Sequence, residues 1–521
     1  MWQSLILTDG MLLYPLDDTY IHLALSENLS ERGEWSMTSE SFTSTSSSLL
    51  WTLALGGVNA FLGVRDWYPL ALNAVFAIVL LVVCARTLRL VGLPPAVQVC
   101  ALVLLVLVAP LPTLILMGLE HVLQTLLAVL FLIVSVQFLT DVGPIRPRRC
   151  AWLYVLALLA TMVRFEGIFL VLIVAFFLAL RGRIRSALAV TAFGFTPVVV
   201  YGAISIANGW FALPNSVYLK GSAPPLSSLK QLYQWTFDKL YTTGLNNFRS
   251  APLFPLLVAL VVGFVVSVRN RIRDWSAGAY STAIVGLVLI VHAKFSAVGW
   301  FFRHEAYVVV LSVIVLAPFL PALRASFGRL RARLPRIVFV AVAILVYACV
   351  PLAFRAGWAI VQTPKASACI YNQHRQMGMF LAEHYNGESV VLHDIGAVCF
   401  YANIQPLDML GLASMECARR KKSHGEIDAE FLEGWARREG ASVAVVYEGF
   451  VRNEMGVDLS ESWEKVGVWT IAHDEACGED SVSFFSPGTE HRERLISALR
   501  EFSIRLPDAV HESGAYIDEF E

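Results

Sequence analysis

A polytopic α-helical membrane protein with an α/β domain at its C-terminal end is the fold class this sequence predicts, and three observations predict it. Hydrophobic residues make up 56% of the 521 and charged residues only 16%, where a soluble domain carries about a quarter charged. Runs such as ALVLLVLVAP, LLAVLFLIVSVQFL, FLVLIVAFFLAL and PLLVALVVGFVVSV recur between short polar breaks, near the roughly 20 apolar residues a helix needs to cross a bilayer. After residue 353 the pattern turns mixed and charge-rich. The chain therefore divides into a membrane unit, 1–353, and a soluble unit, 354–521. The net charge of −1 hides this segregation, and nothing in it points to nucleic acid.

The first 16 residues are too few for an ordinary span and are interrupted by Thr8, Asp9 and Gly10. Either the natural start lies upstream or the first helix is atypical. Residues 18–32 place Ile21, Ala24, Leu25 and Leu29 on one face, the spacing of an amphipathic helix lying at the membrane interface. The Ser/Thr-rich run SMTSESFTSTSSSLLW ends abruptly at an apolar stretch. It reads as a structured loop whose hydroxyls cap the next helix, 48–63, itself interfacial or half-buried. Apolar spans follow near 69–85, 96–112, 115–139, 151–165, 167–180, 187–207, 252–268, 278–293, 306–322 and 337–353, with another interfacial helix at 226–241. In the soluble unit, ESVVLHDIGAVCFY and ASVAVVYEGF read as buried strands and DAEFLEGWARREG as a helix.

Arginines orient the spans, because short cytoplasmic loops hold the Lys/Arg excess. Alternate breaks carry Arg86 and Arg89; Arg146, Arg148 and Arg149; Arg181, Arg183 and Arg185; Arg269, Arg271 and Arg273; and Arg324, Arg329, Arg331, Arg333 and Arg336. These breaks face the cytoplasm. Residues 15–68, the turns at Glu120, Arg164 and Arg303, the 208–251 loop and the soluble unit then share the outer side.

On that side Asp17 and Asp18 stand next to hydrocarbon. Asp18 suits the N-cap of the helix that follows, but one cap suffices and adjacent like charges disfavour each other. The second carboxylate points to chemistry: a general base for an acceptor hydroxyl, its neighbour holding substrate or a divalent cation. Other charges gather at outer span ends: Glu120 and His121, Arg164 and Glu166, Lys220, Lys294, and Arg303, His304 and Glu305. Charges so near hydrocarbon usually face a cavity or a partner. Lys294 reads as snorkelling. Arg164 and Arg303, flanked by aromatic residues, suit the oxygens of an anion such as phosphate. In the soluble unit His393 and Asp394 follow a predicted strand and either contact an acceptor or, for Asp394, cap the next turn.

The sequence carries no P-loop, dinucleotide fingerprint, H-E-x-x-H or nucleophile elbow. Cys84, Cys100, Cys150 and Cys349 fall in or near spans, while Cys369, Cys399, Cys417 and Cys477 lie in the soluble unit. Four cysteines allow three pairings, and a Cys417–Cys477 bridge is the expectation.

The succession LDDTYIHLALSENL, SESFTSTSSSLLW, MGLEHVLQTLLAVL, VRFEG, LPNSVYLK, WFFRHEAYVVVL and HDIGAVCFYANIQPLDMLGLAS resembles the bacterial GT-C glycosyltransferases. The nearest likeness is to the branch that includes mycobacterial arabinofuranosyltransferases. The resemblance implies a GT-C-like bundle of about 10–11 transmembrane helices in the bacterial inner membrane, with an extracytoplasmic active site and α/β domain. It implies transfer of a sugar from a polyprenyl-phosphate donor to a cell-envelope glycan or glycolipid. Asp17 or Asp18 then takes the place of the family's catalytic acidic pair, Asp17 being the first choice of base, and Glu120, Arg164, Glu166, Lys220, Arg303 and His304 surround the substrates. His304 stands where the family has Tyr, and Phe165 where it has Pro. No second nucleophilic carboxylate is evident, so a single inverting displacement is expected. A transporter or lipid flippase is the alternative; it calls for ionisable residues near midspan, whereas most here fall at outer ends.

Overall fold

The computed structural model describes residues 1–38, 42–141, 143, 147–219, 228, 230, 233–234, 253–269, 275–321, 335–425, 427–457, 459, 463–472 and 474–518. Among the described residues, its membrane unit contains α1 (Trp2–Leu7), α2 (Asp17–Arg32), α3 (Leu49–Leu62), α4 (Tyr68–Leu90), α5 (Pro95–Val108), α6 (Leu111–Leu116), α7 (His121–Thr140), α8 (Pro147–Val163), α9 (Gly167–Leu180), α10 (Ile184–Ala207), α11 (Asn215–Tyr218), α12 (Leu253–Val268), α13 (Ala277–Phe295), α14 (Ala306–Leu316) and α15 (Pro335–Cys369). Four of these, α4, α7, α10 and α13, are long and apolar enough to cross a membrane, and α3, α5, α9, α12 and α14 are shorter apolar helices. This is the build of a multi-pass membrane protein.

Burial follows position in the bundle. Helix α7 is the central rod, packed by α4, α8, α9, α13 and α14 and 78% buried over its apolar window, against 33% for α4 and α10. On α4 the exposed residues are themselves apolar, Val75, Ile78, Val79 and Val82. A helix whose exposed stripe is as greasy as its packed one is solvated by lipid, since in water such a patch would drive association.

Most expected spans coincide with helices, with three departures. The span at 115–139 begins only at His121, because Pro110 and Pro112 start a separate short helix and Gly118, at φ +69°, breaks the chain before α7. A side chain at Gly118 would meet the Tyr14 ring at 2.5 Å, so the break admits only glycine. Helix α14 gives way to a 3-10 turn at Ala317–Phe319. The helix of the last expected span does not stop at 353: α15 continues to Cys369, a π-helical turn follows at Ile370–His374, and α16 (Arg375–His384) extends it into the C-terminal domain. The helix expected at 226–241 falls almost wholly outside the described residues.

Helix α2 is no surface helix. Thr19 through Ser26 are all buried, because α3 packs one side and the C-terminal domain covers the other. Helix α3 is half-buried as expected, and Ser48 caps it, its Oγ accepting the Trp51 N–H at 3.3 Å. The Ser/Thr loop before it is tied down: Ser44 Oγ meets the Tyr201 hydroxyl at 2.8 Å, and Ser46 Oγ meets Thr52 Oγ1 at 3.1 Å.

The C-terminal domain is a six-stranded mixed sheet of β1 (Ser389–Leu392), β2 (Gln405–Asp408), β3 (Val443–Val446), β4 (Glu464–Ile471), β5 (Ser481–Ser486) and β6 (Val510–Ser513), in the order β2-β1-β3-β5-β4-β6. Strands β2, β1 and β3 run parallel, Val391 lying between Leu407 and Ala444; β5, β4 and β6 continue antiparallel. Every residue of β1 and β3 is buried, as continuous apolar strands require. The apolar stretch GAVCFY, expected as strand, is instead helix α17 (Gly396–Tyr401). Helices α18 (Met415–His424) and α19 (Ala429–Arg438) cross from β2 to β3, α20 (Glu448–Met455) follows β3, and α21 (Arg492–Ser503) precedes β6. The domain's disulfide joins Cys369 to Cys477. This corrects the Cys417–Cys477 expectation: Cys417 is buried in α18, its thiol donating to the Met409 carbonyl at 3.1 Å.

Candidate active site

Asp17 and Asp18 open α2, with Leu16 rather than either acid at the N-cap. Both sit in the first turn, where the helix dipole favours negative charge. Successive residues on a helix point about 100° apart, so the two acids look toward different bodies. Asp17 faces the C-terminal domain. Asp18 faces the bundle.

The Asp17 carboxylate caps a helix of the other domain. Its Oδ2 accepts the Gly396 N–H and its Oδ1 the Ala397 N–H, each at 2.7 Å, at the start of α17. Gly396 is required, since a Cβ there would lie 2.2 Å from the Asp17 carbonyl oxygen. Oδ1 also meets His374 Nδ1 at 3.1 Å, and His374 Nε2 lies 3.2 Å from Asp394 Oδ2 and 2.7 Å from the Tyr447 hydroxyl. Tyr447 donates onward to Gln373 Oε1 at 2.9 Å. His393 and Asp394 follow β1 and Tyr447 follows β3, the carboxyl ends of two neighbouring parallel strands, where α/β sheets collect their functional groups. Asp394 thus bonds His374 rather than capping α17, while buried His393 packs edge-on against Phe450.

Electrostatics follow this geometry. Burial works against charge on His374, but hydrogen bonds to Asp17 and Asp394 outweigh it and push its pKa up to about 10. Burial likewise disfavours charge on Asp394, and the His374 partner outweighs it, holding the carboxyl at about 2. His393 lacks such compensation, and burial brings it down to about 4.

On the other face of α2, Asp18 Oδ2 accepts from Arg303 Nη2 at 2.5 Å. The carboxylate is 40% exposed and the guanidinium side chain 7%. One turn on, His22 bonds Thr52 Oγ1 at 2.8 Å and approaches Glu120 Oε2 at 3.6 Å. Glu120 in turn binds Arg164 at 2.6 Å, and Arg164 holds Glu166 through two hydrogen bonds of 2.9 and 3.0 Å. His304 packs its ring edge-on toward His121. Several polar atoms in this cluster are buried without a hydrogen-bond partner among the described residues: Arg303 Nη1, His304 Nδ1, His121 Nε2 and Glu120 Oε2.

Arg303 is presented by a strained turn. Gly299, Trp300, Phe301 and Phe302 have φ of +90°, +47°, +59° and +62°, a run of left-handed residues costing roughly 1–2 kcal/mol for each that is not glycine. Glu305 Oε2 accepts the Gly299 N–H at 3.0 Å, its Oε1 pairs with Arg355 at 2.5 Å, and the Arg355 guanidinium lies over the Phe302 ring at 4.3 Å. Backbone held in such conformations concentrates at functional sites.

The sequence-singled residues therefore split into two groups. Asp18, Glu120, Arg164, Glu166, Arg303 and His304 gather at the bundle end; Asp17, His393 and Asp394 belong to the interdomain network. Lys220 lies outside the described residues, although Asn215 of the same LPNSVYLK segment donates from Nδ2 to the Gly411 carbonyl at 2.7 Å. Lys294 reaches over the Phe295 ring. Sequence reasoning missed His374, Tyr447, His22 and Arg355. A buried cation inside an apolar run was available as a signal for Arg355; no local pattern distinguishes His374. The Asp17 oxygens face three N–H donors and Asp18 a guanidinium, so a divalent cation between them would meet positively polarised groups. Among the described residues no group of three His, Cys, Asp or Glu is arranged to hold a metal.

A helical membrane bundle joined to an α/β domain, with a charged cluster where they meet, defines the class of architecture. The crystal structure of ArnT from Cupriavidus metallidurans bound to undecaprenyl phosphate has the same fold, of the GT-C type: the TM-score is 0.52 at 12% identity, covering 94% of this chain and 97% of that one. The apo form of that protein gives 0.50 at 12% identity, covering 94% and 96%. A family model described as a domain of unknown function (DUF8728) matches residues 366–485, from the end of α15 to β5. No curated protein matches.

Proposed function

We propose that this chain is a membrane glycosyltransferase that moves a sugar from a polyprenyl-phosphate donor to a hydroxyl of a cell-envelope glycan or glycolipid, on the extracytoplasmic face of the bacterial inner membrane. The observation that carries the reading is the half-exposed Asp18 carboxylate held against buried Arg303, in a fold shared with a protein crystallised with undecaprenyl phosphate. Glycosyl transfer from a phosphate ester needs a base for the incoming hydroxyl and cations for the departing phosphate. Asp18 is the base in this reading, ahead of Asp17, whose oxygens are already committed to three donors. Arg303 keeps one amino group on Asp18 and has Nη1 free of protein partners among the described residues, a donor suited to a phosphate oxygen. Arg164, paired with Glu120 and Glu166, and His304, whose Nδ1 has no hydrogen-bond partner among the described residues, stand beside it, and Lys220 remains a candidate on sequence grounds. Negative charge near the sugar also suits an oxocarbenium-like transition state, and inversion needs only this one carboxylate. A pentofuranosyl donor, which the resemblance to arabinofuranosyltransferases implies, is the first to try.

The test is incubation of the purified protein in detergent with radiolabelled undecaprenyl-phosphate-linked sugars and an envelope extract. Release of undecaprenyl phosphate with label moving to the extract is expected. Lack of turnover in detergent, with lipid movement only in sealed vesicles, would favour the transporter or flippase reading.

A further inference from the structure

We propose that His374 is a positioning residue: as an imidazolium between Asp17 and Asp394, it locks the C-terminal domain onto the first turn of α2 and so fixes where the neighbouring Asp18 stands opposite Arg303. The consequence for catalysis rests on the transfer reading above; the lock itself does not.

Both nitrogens of the His374 ring face carboxylate oxygens, Asp17 Oδ1 at 3.1 Å and Asp394 Oδ2 at 3.2 Å. A carboxylate only accepts, so serving both requires both N–H groups, which a neutral ring lacks. The Tyr447 hydroxyl donates to Gln373 Oε1 at 2.9 Å, which leaves its oxygen to accept from a protonated Nε2 at 2.7 Å. His374 has no exposed side-chain surface, so water does not compete. The titratable groups around it are Asp17 from α2, Asp394 and His393 from the end of β1 and Tyr447 from the end of β3, while Arg375, next along its own helix, lies over the Tyr371 and Tyr401 rings. His393 stays neutral near pH 7, leaving two anions around one cation.

The α15–α16 rod is the covalent link between the units, and it carries a π-type turn at Ile370–His374, an irregularity that recurs at functional sites. Cys369, just before that turn, is tied to Cys477, and Gln373 Nε2 donates to the Glu479 carbonyl at 3.1 Å. Both hold the His374 turn to the β4–β5 connection. A further attachment, Asp17 on the N–H groups of Gly396 and Ala397, puts one residue of the acidic dipeptide in the hands of the C-terminal domain. Moving Asp17 moves Asp18.

Two measurements on the full chain in detergent test this. With ¹³C-histidine labelling, one of the 11 histidines is expected to stay protonated until about pH 10, to be missing in His374→Gln, and to titrate at least two units lower in Asp394→Asn. A wild-type spectrum in which all 11 histidines have lost their proton by pH 7.5 overturns the proposal and requires no variant. Hydrogen exchange of peptides covering 393–401 and 13–25 is expected to speed at least tenfold in Asp17→Asn and in His374→Gln, and to stay within twofold in Asp18→Asn. Unchanged exchange in the first two variants overturns it. In turnover of an undecaprenyl-phosphate-linked sugar, His374→Gln is expected to lower kcat at least tenfold with KM within twofold. An unaltered kcat would remove the positioning role. A protein that passes both physical measurements but turns over no lipid-phosphate donor would leave the lock standing and sink the transfer reading instead.

Discussion

The two faces of α2 differ in how completely their polar groups are matched. Toward the C-terminal domain, Asp17 meets Gly396, Ala397 and His374, and His374 meets Asp394 and Tyr447. Toward the bundle, Asp18, Arg303, Glu120, Arg164 and His304 form a cluster just as buried in part, yet Arg303 Nη1, His304 Nδ1 and Glu120 Oε2 have no hydrogen-bond partner among the described residues. Native proteins rarely leave buried polar groups unmatched without a reason. Among the described residues only His393 Nδ1 is left unmatched around Asp17; the bundle-side cluster, where Asp18, Glu120 and Glu166 face Arg164 and Arg303, keeps several such atoms, as the proposed substrate site requires. Two adjacent aspartates in one dipeptide thus meet two different sets of partners because a helix turns them to two different neighbours.

The comparison can be broken at several points. Breaking one partner of a buried ion pair leaves the other uncompensated, at about 3–5 kcal/mol. Arg355→Met, which strands Glu305 and frees the strained Trp300–Phe302 turn, is expected to give the largest loss of stability, read as a fall in melting temperature in detergent. Gly396→Ala comes next. Its new Cβ collides with Asp17 backbone and carboxylate, so the domain contact should open, visible as faster exchange in 393–401 with the bundle unaffected.

The pH dependence separates the two faces without mutation. His374 has a folded pKa raised to about 10 from an ordinary value near 6.5. Its contribution to stability is therefore complete below about pH 6.5 and is lost as pH rises through about 10. Asp394 is shifted the other way, to about 2, so its share is complete above about pH 3.9 and is lost as pH falls through about 2. A melting-temperature profile should be flattest between these limits, and Asp17→Asn should remove most of the alkaline decline. Ser48→Ala is the mildest change: loss of the α3 cap is expected to lower stability by about 1 kcal/mol and leave α2 in place.

Much of the bundle was legible because apolar runs encode membrane helices directly. The boundaries that moved did so at residues whose effect is local, Pro110, Pro112 and Gly118. GAVCFY was misread as strand because a short apolar run has no period that tells strand from buried helix. The acidic pair announced itself as an anomaly, and Arg164, Glu120 and Arg303 as charges beside hydrocarbon. What the sequence could not divide was the pair itself. Asp17 and Asp18 differ in their partners, and the decisive one, His374, lies 357 positions away in a stretch with no distinguishing pattern. The disulfide failed for a similar reason, since pairing among four cysteines is set by where the π-type turn meets the β4–β5 connection.

The most direct test sets Asp17→Asn beside Asp18→Asn, scoring turnover of an undecaprenyl-phosphate-linked sugar and melting temperature on the same preparations. Removing a general base typically lowers turnover about 10²–10⁴-fold. That loss is expected for Asp18→Asn with a smaller fall in melting temperature than in Asp17→Asn, because the Asp18 side of its pair with Arg303 is 40% exposed. Asp17→Asn is expected to melt several degrees lower and to retain more turnover than Asp18→Asn where it is folded. Abolished turnover in Asp17→Asn at wild-type stability, with Asp18→Asn fully active, would contradict the division of labour between the two acids.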